Sequence, residues 1–116
     1  MRAGHHYRGR LSEKTYSSDT AAREEEVKND LAAACITKDR RPSVETSMHN
    51  ALEANFIVHL HPTMVNGLMC GQNAEAETQK LFGDDAVYIP YTDPGYGLFK
   101  EVENRINAYK AKFGKE

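Results

Sequence analysis

Asn55-Phe-Ile-Val-His-Leu-His-Pro-Thr-Met-Val-Asn66 is the stretch on which the reading of this chain turns. Phe56, Ile57 and Val58 are strong strand formers and run directly into His59-Leu60-His61. In a strand alternate residues share a face, so His59 and His61 are expected to point the same way. Two imidazoles on one face are able to grip one transition metal. Pro62 suits the first position of a helix, where no backbone donor is missed. The expected element is a strand-to-helix turn with the histidine pair at its mouth, a place where sites in α/β folds lie. A histidine near a strand end is also commonly a satisfied surface or core residue. Zinc normally takes at least three protein ligands, so further donors have to come from elsewhere in the chain.

The bulk numbers bound the rest. The chain has 116 residues, enough for one domain, and is 40% hydrophobic and 28% charged, as globular proteins are. A net charge of -2 gives no electrostatic footprint for nucleic acid. No apolar run approaches a membrane span, and Met1 to Arg10 lacks the apolar core of a signal peptide. Cys35 and Cys70 lie far apart and are expected to be free thiols in a reducing, cytoplasmic setting.

Outward from the central stretch the pattern is mostly helical. Met1 to Arg10 is a basic leader without periodicity, and its His5 and His6 are expected to be solvated. Ser17-Ser18-Asp19-Thr20 is a cluster of capping residues, and Val27, Leu31, Ala34 and Cys35 recur at helical spacing, predicting a helix over Thr20 to Ile36. Glu24, Glu25 and Glu26 read as its wet side. Ser43 is placed to cap a helix with Val44, Met48, Ala51 and Leu52 on its apolar face, and Glu45 and His49 share one side of it. A glutamate there also has a plain role, since it favours the helix dipole. Pro62 to Met69 and Ala74 to Phe82 read as helices stopped by Gly71 and Gly83. Ala86 to Ile89 reads as a second strand. Asp93 and Pro94 suit the start of a last helix carrying Leu98, Phe99, Val102, Ile106, Tyr109 and Phe113 on one face.

Arg41-Pro-Ser-Val-Glu-Thr46, His49, Ile57-Val-His-Leu-His-Pro62 and Ile89-Pro-Tyr-Thr-Asp-Pro-Gly95 together resemble the class II aldolase/adducin family, in its rhamnulose-1-phosphate aldolase-like branch. The resemblance implies an α/β fold, here part of a three-layer α/β/α domain with a small sheet covered by helices. It implies Glu45 as the catalytic acid/base, His59 and His61 as zinc ligands, and Ser43 as a contact to the substrate phosphate. In such enzymes zinc holds the carbonyl and hydroxyl oxygens of a ketose phosphate and stabilises the enediolate left by carbon–carbon cleavage. The acid residue moves a proton to and from that carbon. The family's homotetrameric assembly is implied as well.

Two parts of the family pattern are not matched. The family's third zinc histidine comes from a later His-Gly segment, and no histidine follows His61. Its glycine-rich phosphate loop precedes the Pro-Ser-x-Glu segment, and Met1 to Arg10 shows none. The expectation is therefore an aldolase-like domain over 11–116, truncated at both ends, behind an unmatched leader at 1–10. The function expected is zinc-dependent retro-aldol cleavage of a ketose 1-phosphate, with little activity from the chain alone. The alternatives are a non-catalytic adducin-like binding module and a sugar-phosphate epimerase or dehydratase of the same fold.

Overall fold

Helix α1 spans Thr20–Ala34 and starts where its capping cluster stands. Asp19 is the N-cap, and its Oδ1 accepts a hydrogen bond from the Ala22 N–H at 2.8 Å. The chain is seen in a computed structural model that describes residues 14–37 and 39–114. The leader at 1–10, with His5 and His6, lies outside the described residues. After α1 come α2 (Thr46–Asn50), α3 (Thr63–Met69), α4 (Ala74–Phe82), a 3₁₀ turn (Gly83–Asp85) and α5 (Tyr96–Phe113).

The core joins the first and last helices. Val27 and Leu31 of α1 meet Phe99 of α5, and Tyr16, Ala51 and Tyr96 pack around them. Burying a side chain of this size contributes roughly 1.5–3 kcal/mol. Tyr16 and Tyr96 meet edge-on, with ring centroids 4.9 Å apart. Helix α2 packs against α5, and α3 against α4. No helix among the described residues is long and apolar enough to cross a membrane.

The expected α/β architecture, a small sheet in a three-layer α/β/α sandwich, is corrected here. The described residues contain helices and irregular backbone, with no strand and no sheet. Residues 56–61 and 86–89, both expected as strands, have no ladder partner among the described residues. High β-propensity describes fit to a pleated, half-buried surface rather than a preference of the backbone itself. Phe56, Val58 and Leu60 are 91%, 79% and 70% exposed, so no neighbour offers them such a surface. The alternation itself survives: Ile57 is 39% exposed and the His59 side chain 28%. Ile57 is less exposed than either of its neighbours Phe56 and Val58.

The start of α5 also departs from expectation. Its N-cap is Gly95, at φ 140°, rather than Asp93. The Tyr96 N–H donates to both oxygens of Glu24, at 3.1 and 3.2 Å. A residue expected to be only the wet side of α1 thus supplies a carboxylate to the positive end of α5. The φ of residue 95 favours glycine, and a Cβ there would lie 2.7 Å from Glu24 Oε2 and so displace the carboxylate from the Tyr96 N–H. Gly114, at φ 60°, ends the helix in the left-handed region, with Lys110 and Lys112 in the last turn.

This joint is testable by chemical denaturation. Glu24→Ala is expected to lower stability by about 1–2 kcal/mol, the range for a charge-assisted bond to a helix N-terminus. Gly95→Ala is expected to cost at least as much, because it adds backbone strain and a clash. If both variants unfold at the parent's midpoint, the joint contributes nothing.

Candidate metal centre

Pro42 precedes a tight turn. The Ser43 carbonyl accepts from the Thr46 N–H at 3.1 Å, and Ser43 Oγ accepts from the Glu45 N–H at 3.2 Å. These two bonds fix Glu45 at the N-cap position of α2, with no side-chain cap bond of its own. Its carboxylate is therefore not spent on the helix start. The Glu45 carbonyl accepts from the His49 N–H at 3.0 Å, so the two side chains leave the same side of the helix. The apolar face expected here is buried only in part: Ala51 packs against the core and Met48 is half-buried. Ser47 is buried, with Oγ donating to the Val44 carbonyl at 3.4 Å, while Val44 and Leu52 stay exposed.

The segment 56–61 returns past this turn. His59 Nδ1 lies 3.9 Å from Glu45 Oε2. His49 Nε2 and His59 Nδ1 are 2.7 Å apart and share a hydrogen bond, one nitrogen carrying the proton. The two rings meet edge-on, with centroids 4.9 Å apart. One ligand atom from each of Glu45, His49 and His59 lies within 4.8 Å of the other two. His61 stands outside this triad but stacks on His59, with ring centroids 4.8 Å apart and planes inclined by 26°. The outward alternation of Phe56, Val58 and Leu60 is what leaves both histidine rings on one side.

Of the residues singled out in the sequence, Glu45 and His59 meet directly. His61 meets His59 alone, and Ser43 sits behind Glu45 as a local hydrogen-bond partner. His49 joins them from the same helix as Glu45. Its signal was present in the Glu45–His49 spacing, which places both on one side of a helix. A carboxylate and imidazoles are a donor set that suits zinc and other divalent transition metals. Elsewhere in the matched motifs, Tyr91 Oη donates to Asp93 Oδ1 at 3.1 Å. That bond and the negative charge of Asp93 hold the Tyr91 hydroxyl above its usual pKa.

Comparison with known proteins agrees with these motifs. The family described as Class II Aldolase and Adducin N-terminal domain matches residues 11–113. A curated relative, the uncharacterized oxidoreductase YuxG of Bacillus subtilis (strain 168), is 31% identical over 84 residues. That alignment takes in 72% of this chain and 12% of the relative, so the chain spans a small part of the relative's length. No solved structure matches the chain.

The shared bond between His49 and His59 predicts locked tautomers. Long-range proton–nitrogen NMR of the metal-free chain at neutral pH should show one protonated and one bare nitrogen facing each other across the pair. His59→Ala should move the His49 ring signals. Averaged free-imidazole shifts on both rings would show that the bond does not form.

Proposed function

Because this chain belongs to the class II aldolase and adducin N-terminal domain family, we propose that it carries the metal and proton-transfer residues of an aldolase-like lyase. The substrate class is a ketose 1-phosphate, cleaved to dihydroxyacetone phosphate and an aldehyde. The observation that carries this reading is the meeting of Glu45 with His59, Oε2 to Nδ1 at 3.9 Å, beside His49. The carboxylate is close enough to a metal-binding imidazole to act on what the metal holds, yet it is hydrogen-bonded to neither ring.

His59 and His61 are the residues that would hold the metal, zinc being the ion the imidazoles suit. When bound, it supplies Lewis-acid polarisation of the substrate's carbonyl and hydroxyl oxygens. In the cleavage direction Glu45 delivers a proton to the carbon that keeps the electron pair of the broken bond. In the reverse direction its carboxylate takes that proton away. Ser43 faces the substrate phosphate in this reading. Its oxygen already accepts from the Glu45 N–H, so its hydroxyl hydrogen is the donor offered to a phosphate oxygen.

The family is generally oligomeric and acts on small molecules. A homotetramer in a reducing, cytoplasmic setting fits this reading and the free thiols of Cys35 and Cys70. A non-catalytic binding module of the adducin kind is the alternative that the next experiment separates.

The half-reaction is the direct test. Dihydroxyacetone phosphate in heavy water, incubated with the zinc-loaded chain, should exchange one carbon-bound proton for deuterium, followed by NMR. Glu45→Gln is expected to slow the exchange by about a hundredfold or more, the scale of general acid–base catalysis. His59→Ala and His61→Ala should remove its dependence on zinc. Release of dihydroxyacetone phosphate from L-rhamnulose 1-phosphate is expected to be slow with this chain alone. Zinc binding without any exchange would leave the binding-module alternative in its place.

A further inference from the structure

We propose that residues 55–61 pair with the same segment of a second copy of this chain, as two antiparallel strands related by a two-fold axis at Val58. The inference is independent of the metal reading above.

Three observations carry it. The backbone of 54–61 makes no hydrogen bond to any described residue, so a row of donors and acceptors stands unpaired. Phe56, Val58 and Leu60 are 91%, 79% and 70% exposed. Together they present on the order of 400 Å² of apolar surface, as much as the largest patch of an ordinary monomer. Between Glu53 and Glu75 the sequence has no Asp, Glu, Lys or Arg, in a chain that is 28% charged. Natural edge strands are guarded against pairing by charge, by proline or by a covering element, and among the described residues 55–61 has none of these.

The occupant follows from these features. A lipid surface takes apolar side chains but leaves backbone groups unsatisfied, whereas a strand serves both. A two-fold contact sets a patch against its own copy, so a charge on it meets the same charge. A segment without charges meets no such repulsion. The register comes from the side chains. Centred on Val58, Phe56 lies opposite Leu60 of the second copy, Val58 opposite Val58, and Leu60 opposite Phe56, three apolar pairs on one face. Ile57 then faces His59 on the other. A slip by one residue would mix the apolar face with His59 and His61. Moving the axis to Leu60 would set Val58 opposite Pro62, which has no N–H to give.

The test is sedimentation velocity of the metal-free 116-residue chain over a concentration series. A contact of this small size predicts a monomer–dimer equilibrium with a dissociation constant on the order of 100 µM. Val58→Lys should weaken it by about tenfold or more, because a charge then meets its own copy. Its circular dichroism should stay that of the parent, since Val58 is exposed. Leu81→Lys, at an exposed position of α4, should leave the equilibrium unchanged. Cross-linking reads the register. With Cys35→Ser and Cys70→Ser in place, Val58→Cys should form a disulfide-linked dimer under oxidised glutathione, since facing Cα atoms about 4.5–5.5 Å apart suit a disulfide. Phe56→Cys alone should not, but mixed with Leu60→Cys it should. A monomer at every concentration, an equilibrium that Val58→Lys leaves unmoved, or equal cross-linking of Val58→Cys and Phe56→Cys would each overturn the proposal. Growth into larger assemblies would overturn it as well, because a two-fold pair closes at two copies.

Discussion

The carboxylate of Glu24 on the first N–H of α5 is the contact from which the rest of the arrangement follows. It ties the two longest helices of the described chain at the point where their apolar faces begin to meet. With α5 anchored there, Phe99 is brought over Val27 and Leu31, and Ala51 closes the same cluster just beyond α2. The constraint is demanding because the backbone at Gly95 takes a φ of 140°, and a side chain there would push the Glu24 carboxylate off the helix start. A charged group at a helix N-terminus is worth little when exposed, but here it also sets the position of a core.

The site inherits its order from that core. Helix α2 is a short element with little stability of its own, since an isolated helix of this length does not persist in water. Packing against α5 and the turn held by Ser43 hold it in place. Glu45 and His49 are therefore presented from a supported turn, while His59 and His61 come from a segment without regular secondary structure. What brings the two halves together is the His49–His59 bond and the alternation of side chains along 56–61. A bound ion on the same imidazoles would add a cross-link at this seam, so ligation and local order are coupled.

Helix starts were legible where the capping residue adjoins its helix, as Asp19 does for α1. The start of α5 was not, because its cap comes from 72 residues earlier in the chain, and no local pattern encodes that pairing. The strands were misread for a related reason. Phe56, Ile57 and Val58 have the composition of a strand, but a strand is defined by a partner, and none stands beside them among the described residues. The side-chain alternation inferred from the same residues does not depend on that partner, and it remains in the exposures of Phe56, Ile57, Val58 and Leu60. His59 and His61 were picked out by type and spacing, and Glu45 by the resemblance to the family. His49 was recognised as sharing a helix side with Glu45, but its nearness to His59 depends on how the chain folds back, which spacing alone does not encode.

The central claim is that imidazoles beside Glu45 form a metal centre, and X-ray absorption at the zinc edge of the zinc-loaded chain tests it most directly. The account predicts a first shell of nitrogen and oxygen at about 2.0–2.1 Å, with the outer-shell scattering of several imidazole rings. A shell of oxygen alone, or a sulfur distance near 2.3 Å from Cys35 or Cys70, would contradict it.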